Sequence, residues 1–139
     1  MKLELEVYRD MLRHALQEAP NECCGLLAGR DDRIFRIQRC TNALASPVRF
    51  SIPPPELFRF FRSLRDRRQE FLGIYHSHPD GDPIPSIRDQ EELHYQDPGY
   101  WIIALKSDQP VVACYKWKEP GLAPQEFEIV ESTVLPQAE

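Results

Sequence analysis

The strongest constraint on the fold is an apolar run, residues 71–75, that passes directly into His76-Ser77-His78. The run is rich in residues that favour strands and is bounded by polar residues, which predicts a buried strand. Residues two apart in a strand point to the same face of the sheet. His76 and His78 are therefore predicted to project side by side from the end of a strand, where a cleft can form.

A proline-stiffened loop, residues 79–85, and a short helix follow the two histidines. Ser86 has the chemistry of a helix N-cap in front of residues 87–93. Asp89 falls in the first turn of that helix, so the loop can fold its carboxylate back toward the histidines. Two imidazoles and one carboxylate match a catalytic zinc site, which keeps its fourth position for water. His76, His78 and Asp89 are thus the candidate metal ligands.

Each half of this pattern also has a simpler interpretation. Ser86 and Asp89 at this spacing match a motif that only starts a helix, and two histidines can also sit on a solvated strand end. Asp80 and Asp82 lie in the same loop and are interpreted as solvated residues. The combination is more specific than its halves, because it places every ligand type at one strand end and at the helix start that faces it.

The whole run resembles the active-site motif of the JAMM (MPN+) zinc metallopeptidases, the JAB-domain family. That motif is an upstream glutamate, then His-Ser/Thr-His, seven residues, Ser, two residues and Asp. Residues 76–89 match it without a gap or a substituted ligand. The upstream glutamate corresponds to Glu22, which precedes a Cys-Cys-Gly-Leu-Leu run. The resemblance extends from the first helix to about Val130.

The resemblance implies a role for each of the five motif residues. One Zn²⁺ ion is held by His76, His78 and Asp89. Glu22 accepts a proton from the attacking water and later donates it to the leaving amine. Ser86 donates a hydrogen bond to the oxyanion of the tetrahedral intermediate. The simpler interpretation of Glu22 is an exposed carboxylate at the start of a strand, and no substrate-binding residue is assigned.

The stretch between Asp89 and Trp101 is short, and nothing else indicates an insertion. The chain therefore resembles the compact prokaryotic members of the family, including the Mec-like subgroup. Those members act on ubiquitin-like β-grasp sulfur carrier proteins, at the bond after a C-terminal Gly-Gly. The implied function is a metallopeptidase or isopeptidase that frees such a carrier from an attached amino acid or extension.

Two alternatives stay open beside that function. One is a non-catalytic MPN-type interaction scaffold, which should lack at least one of the five motif residues. The other is a metal-dependent hydrolase of a small-molecule amide. Turnover that requires a protein substrate would separate this second alternative from the peptidase.

Hydrophobic periodicity predicts the element order α-β-β-α-β-α-β-β-β. A first helix is predicted over residues 5–18. The second helix begins at Pro55 and Glu56, and its apolar face is Leu57, Phe58, Phe61 and Leu64. Strands are predicted over residues 23–28, 33–39, 71–77, 100–105, 111–117 and 126–130. Residues 40–55 form a loop in which Phe50 and Ile52 could form a short strand.

This order favours a single α/β (α+β) domain with a mixed β-sheet flanked by helices. The family resemblance implies the cytidine-deaminase-like JAMM/MPN fold, which the element order alone does not distinguish. The domain is predicted to span residues 1–132, and residues 133–139 are predicted to form a frayed tail.

Composition and charge exclude some partners. The net charge of −5 argues against nucleic acid, which is usually bound by a basic face. No apolar run approaches the length of a membrane span, and the first residues lack the order of a signal peptide. We expect a cytoplasmic protein that acts on a carrier protein, with neither nucleic acid nor a membrane as partner.

Several other residues are assigned no catalytic role. The cysteines are interpreted as core thiols, although a role of Cys24 near the site stays open; they are Cys23, Cys24, Cys40 and Cys114. His14 is interpreted as a surface residue. His94, placed on the helix after Ser86, is interpreted as structural or exposed, or as part of a cleft rim. The arginines of residues 59–68 favour a solvated helix face, and a docking patch for an acidic protein stays open.

Overall fold

The structure is a computed structural model that describes residues 1–133. In chain order its elements are β1 (Lys2–Glu4), α1 (Leu5–Glu18), β2 (Cys24–Arg30), β3 (Arg33–Cys40), α2 (Pro54–Arg67), β4 (Glu70–His78), α3 (Ile87–Glu91), β5 (Gly99–Ala104), β6 (Val111–Lys118), β7 (Gly121–Pro124) and β8 (Glu128–Val130). The strands form one eight-stranded sheet in the order β7-β6-β5-β4-β2-β3-β1-β8. The predicted single domain with a mixed sheet and flanking helices is confirmed.

Strand β4 lies in the middle of the sheet and ends in the two histidines. It pairs antiparallel with β2 and parallel with β5. Both faces of β4 are covered, which explains why its sequence reads as a continuous apolar run. Tyr75 packs into the core cluster on the α1 face, and Ile74 packs into the cluster on the α2 face. His76 and His78 alternate with Tyr75 and therefore point to the α2 side of the sheet.

Prolines stand at the start of helix α2. Pro53 is the N-cap and Pro54 is the first helical residue, where a missing N–H costs nothing. Its inward face carries Phe60, which is fully buried. Phe58, predicted on the apolar face, is instead 74% exposed. Phe58 precedes the buried Phe60 by two residues, and two residues turn an α-helix by roughly 200°. Phe58 therefore lies on the opposite side of the helix.

The predicted element order misses two strands, β1 and β7. Strand β1 has only three residues and depends on parallel pairing with β3 and β8, which leaves no local periodicity to read. Strand β7 pairs with β6, although its Gly and Pro residues indicate a turn. Conversely, Phe50 and Ile52 lie in the loop before α2 and form no strand.

Two histidines differ from their predicted places. His14 is only 4% exposed, and its Nδ1 lies 2.7 Å from the hydroxyl of Tyr75. The surface prediction was wrong because a buried tyrosine partner 61 residues away leaves no trace in the local pattern. His94 follows α3 rather than lying on it, since that helix ends at Glu91.

Other predictions can be compared directly with the described residues. The four cysteines are free and buried, as predicted. Within residues 1–133, no helix combines the length and the apolar character needed to cross a membrane. Thr133 donates from its hydroxyl to Glu4 Oε2 at 2.8 Å. Residues 134–139 lie outside the described residues, so the predicted tail and the domain boundary stay predictions.

Candidate metal centre

Three of the predicted site residues meet at the end of β4. His76 Nε2 and His78 Nε2 lie 3.1 Å apart. Asp89 Oδ2 lies 3.0 Å from His78 Nε2 and 3.2 Å from His76 Nε2. These three atoms form the one group of at least three metal-ligating side chains found within residues 1–133.

The spacing of this triangle fits a metal ion. Tetrahedral nitrogen or oxygen ligands at zinc's usual bond lengths lie about 3.3 Å apart. The three separations, from 3.0 to 3.2 Å, are close to that value. The donor set of two imidazoles and one carboxylate can therefore hold a metal ion without a large rearrangement.

The capping residues of α3 bring Asp89 into the triangle. Ser86 Oγ accepts a hydrogen bond from Asp89 N at 2.9 Å, and Ser86 N donates to Asp89 Oδ2 at 2.9 Å. This reciprocal pair is a capping box. The helix-start interpretation is confirmed. The same carboxylate oxygen faces the Ser86 N–H and both histidines, so the cap leaves Asp89 placed for the predicted role of metal ligand, which stays a prediction.

Neighbouring groups orient the two imidazole rings. His78 Nδ1 lies 2.8 Å from the carbonyl oxygen of Asp82, which can only accept, so Nδ1 carries a hydrogen and Nε2 is the nitrogen that would ligate a metal ion. Phe50 stacks on His76 with ring centroids 4.7 Å apart and an interplanar angle of 22°. Neither contact was predicted from the sequence. Asp82 has the exposed side chain that was expected, but its backbone takes part in the site.

Glu22 lies two residues before the start of β2, beside this triangle. Cys24 pairs with His76 across the β2–β4 ladder, so Glu22 comes level with His78. Ser77 fixes this register: its Oγ accepts from Cys23 N at 2.8 Å, and its N–H donates to Cys23 O at 3.1 Å. Only 4% of Glu22 is exposed, so the interpretation as an exposed carboxylate was wrong.

Burial and charge shift the carboxyl groups in opposite directions. Among the described residues, Glu22 Oε1 has no hydrogen-bond partner. Burial raises the pKa of Glu22 to about 8, against the attraction of His78. Burial also acts to raise the pKa of Asp89, but hydrogen bonds from His76 and His78 hold it well below its usual range. Near neutral pH the two carboxyl groups therefore differ in charge, because Asp89 is ionised whereas burial favours the protonated form of Glu22.

A cavity of about 460 Å³ adjoins the metal centre. His76 and Asp89 form part of its wall. His94 also lines the cavity, in agreement with the alternative that placed it at a cleft rim. The rest of the lining is mostly apolar and was not identified from the sequence; it includes Leu26, Leu44, Val48, Phe50, Ile52, Leu57, Ile74, Tyr95 and Tyr100. Pockets of this size and chemistry bind ligands or peptide segments.

Comparison with known proteins identifies the family. Residues 4–118 match the model of a family described as prokaryotic homologs of the JAB domain. The chain belongs to this family. A relative named desampylase, from Haloferax volcanii, is 30% identical over 124 residues that cover 84% of this chain and 87% of the relative. A CysO-cysteine peptidase from Mycobacterium bovis is 29% identical over 75% of this chain and 73% of its own length.

A solved structure shares the fold of this chain. The solution structure of a protein from Desulfitobacterium hafniense is 32% identical and superimposes with a TM-score of 0.85. The match covers 94% of this chain and 92% of that one. The resemblance to the JAMM family is confirmed. Since its relatives include a desampylase and a CysO-cysteine peptidase, this JAB-family chain is a hydrolase.

Proposed function

We propose that the protein is a zinc-dependent peptidase or isopeptidase. It hydrolyses the amide bond after the C-terminal Gly-Gly of a ubiquitin-like β-grasp sulfur carrier protein and releases the attached amino acid or extension. The observation that carries the proposal is the triangle of His76, His78 and Asp89 beside the buried carboxyl of Glu22. The names of the relatives, a desampylase and a CysO-cysteine peptidase, support this class of substrate.

Zinc is the metal that we assign to the triangle. Two nitrogen ligands and one carboxylate in a compact triangle favour it over Mg²⁺ or Ca²⁺, which prefer six or more oxygen ligands. Zinc held by His76, His78 and Asp89 would supply a Lewis acid that acidifies water and polarises a carbonyl group. The hydrogen bond from His78 Nδ1 to the Asp82 carbonyl supports the assignment, because it fixes the ligating tautomer.

Glu22 is the group that moves protons in this proposal. Its carboxylate takes a proton from the attacking water, and the resulting acid donates that proton to the nitrogen of the leaving amine. The first task needs the ionised form and the second needs the protonated form, so a carboxyl group whose pKa is raised by burial to about 8, near the working pH, can serve in both. Burial excludes bulk water, so the proton passes to the leaving group rather than to solvent.

Ser86 stabilises the charge that develops on the carbonyl oxygen of the substrate. Its Oγ already accepts a hydrogen bond from Asp89 N, which orients the hydroxyl group. In residues 1–133 the hydroxyl hydrogen has no acceptor of its own. It is therefore available to donate to the developing oxyanion, and the capping bond supplies the preorganisation that such a donor needs.

A small-molecule amide is the second candidate substrate. The cavity beside the metal centre, about 460 Å³, has the size of many small-molecule sites. A carrier protein explains the site better, since its Gly-Gly tail can reach a buried centre while the protein body stays outside. We keep the cytoplasm as the proposed location, where four free thiols would stay reduced.

An intact-mass assay tests the proposal. The zinc-loaded protein is incubated with a β-grasp sulfur carrier that continues past its Gly-Gly by one amino acid or by a short peptide. We expect the wild-type protein to remove the extension, so that the carrier loses its mass. We expect Glu22→Gln to bind zinc normally and to leave the extension attached. If neither carrier is cleaved by the zinc-loaded protein, the carrier is not the substrate. Release by Glu22→Gln at the normal rate would remove Glu22 from the chemistry.

A further inference from the structure

One side chain, Asn42, organises the loop between β3 and α2, residues 41–53. Its amide nitrogen lies 3.0 Å from the carbonyl oxygen of Glu22 and 2.9 Å from that of Arg49. The carbonyl oxygen of Ser46 lies at 3.4 Å and shares one of the two amide hydrogens. Asn42 therefore joins the backbone of Glu22 to two separate points of the loop.

The other half of the same amide closes the loop on itself. Asn42 Oδ1 accepts hydrogen bonds from Leu44 N at 3.1 Å and from Ser51 N at 3.2 Å. The backbone adds a bond from Ala43 N to Ser51 O at 2.9 Å. Both the donors and the acceptor of this side chain are used, so the loop conformation depends on an asparagine at this position.

The loop built in this way contacts both halves of the site. Glu22 N donates to Ser46 O at 2.8 Å, so the loop holds Glu22 through its N–H as well as through its carbonyl oxygen. Phe50, next to the Ser51 bond, stacks on the ligand His76. No other side chain in the described part of the chain hydrogen-bonds the backbone of Glu22.

We propose that Asn42 is a positioning residue that fixes Glu22 in line with the metal centre by anchoring the loop of residues 41–53. Asn42 does not touch the reacting atoms and acts through Glu22. The proposal rests on the catalytic role proposed for Glu22. It predicts that loss of the Asn42 amide misplaces the acid–base group and leaves the metal ligands, which lie on β4 and α3, in place.

Asn42→Asp is the sharpest test, because it has the same shape and retains the acceptor oxygen. An oxygen replaces the amide nitrogen, so the carbonyl oxygens of Glu22 and Arg49 lose their donor and face a like charge. Asn21→Asp is the matched control: it makes the same change one residue before Glu22. Within residues 1–133 the side chain of Asn21 makes no hydrogen bond.

The experiment combines hydrogen exchange with steady-state kinetics on the zinc-loaded proteins. In Asn42→Asp we expect the amides of Glu22, Leu44 and Ser51 to exchange about tenfold faster or more, while those of β4 keep their protection. We expect kcat to fall on the order of tenfold to a hundredfold with an unchanged zinc content. Asn21→Asp should match the wild-type protein in all three measurements.

Two results would overturn the proposal. One is an Asn42→Asp protein with normal kcat, or with normal protection of the three loop amides. The other is loss of zinc or of the fold in both Asn42→Asp and the uncharged Asn42→Ala, since Asn42 would then stabilise the whole domain. A wild-type protein that cleaves no substrate overturns the function proposed for Glu22, while the exchange measurement still decides whether Asn42 anchors the loop.

Discussion

The metal-ligand side of the site and the Glu22 side are built in different ways. The candidate ligands come from one continuous segment, residues 76–89, and the three atoms that would bind the metal lie within hydrogen-bond distance of one another. Glu22 comes from a distant part of the chain, is almost fully buried, and has a carboxyl oxygen without a partner in the described structure. The polar contacts of the first side come from its own segment, whereas the second side is held by the backbone of the 41–53 loop and by Asn42.

This difference separates binding of the metal from its use. The side chains of the candidate ligand triangle come from the end of β4 and the cap of α3, so the triangle can form whether or not Glu22 is in place. The burial of Glu22 is unfavourable in its charged form and has to be imposed by the surrounding backbone. Substitutions on the ligand side should therefore change metal affinity, and substitutions on the Glu22 side should change turnover or pH dependence.

The largest expected effect is on metal affinity. His76→Ala and Asp89→Ala each remove one of three protein ligands, and we expect zinc affinity to fall by more than about a hundredfold, beyond the usual loss from outer-shell changes. Competition with a chromophoric chelator measures it. His94→Ala and Asp80→Ala are matched controls, because they remove the same residue types outside the triangle. Full zinc occupancy in His76→Ala would rule out the ligand assignment.

The next largest effect is on turnover without loss of metal. Ser86→Ala removes the hydroxyl group, and we expect kcat to fall about a hundredfold, the usual cost of one oxyanion donor. Zinc affinity should be kept, since the bond that orients Asp89 comes from the backbone N–H of Ser86. Lost capping should also lower the free energy of unfolding by about 1 kcal/mol, measurable by urea denaturation.

Ser86→Thr separates the two roles of this hydroxyl group. It keeps both the capping acceptor and the donor, and we expect it to retain most of kcat and of the stability. If Ser86→Ala loses stability but turns over normally, then Ser86 is only a helix cap. Loss of zinc in Ser86→Ala would mean that the capping box fixes Asp89 through the side chain.

The ligand side was also the predictable side, for a physical reason. Strand alternation and helix capping are local rules, and together they bring His76, His78 and Asp89 to one point. The Glu22 side, and the loop that joins it to the ligand side, follow from contacts that no local rule encodes. Asn42 bonds to carbonyl groups up to 20 residues away, and Phe50 stacks on a histidine from another element.

The same distinction explains the errors in the fold. The long helices and central strands were predicted because each carries its own periodicity. Strand β1 was missed because it consists of three residues that exist only through pairing with β3 and β8. His14 was misplaced because its partner is the buried hydroxyl of Tyr75 on the far strand. Elements that depend on non-local pairing are where sequence patterns carry the least information.

The smallest expected effect is a pH-dependent change in stability, and it isolates the burial of Glu22. Its pKa is raised from 4.5 to about 8 in the folded chain. Between these values the folded state keeps a proton that the unfolded state has released. The contribution of this proton to the free energy of unfolding is complete below pH 4.5, decreases as the pH rises, and is lost by about pH 8. Glu22→Gln carries no ionisable group at this position, so its free energy of unfolding should not show this decrease.

Urea denaturation of the metal-free proteins, measured with a chelator present, tests this expectation. The free energy of unfolding of Glu22→Gln should rise relative to the wild-type value by about 2 kcal/mol between pH 5 and pH 7. Other titrating groups, including Asp89 and His78, are common to both proteins and largely cancel in the difference. Parallel curves over this range would mean that water or a hydrogen-bond donor reaches Glu22 in the folded chain. The Glu22 side would then be as well solvated as the ligand side, and the contrast between them would rest on sequence distance alone.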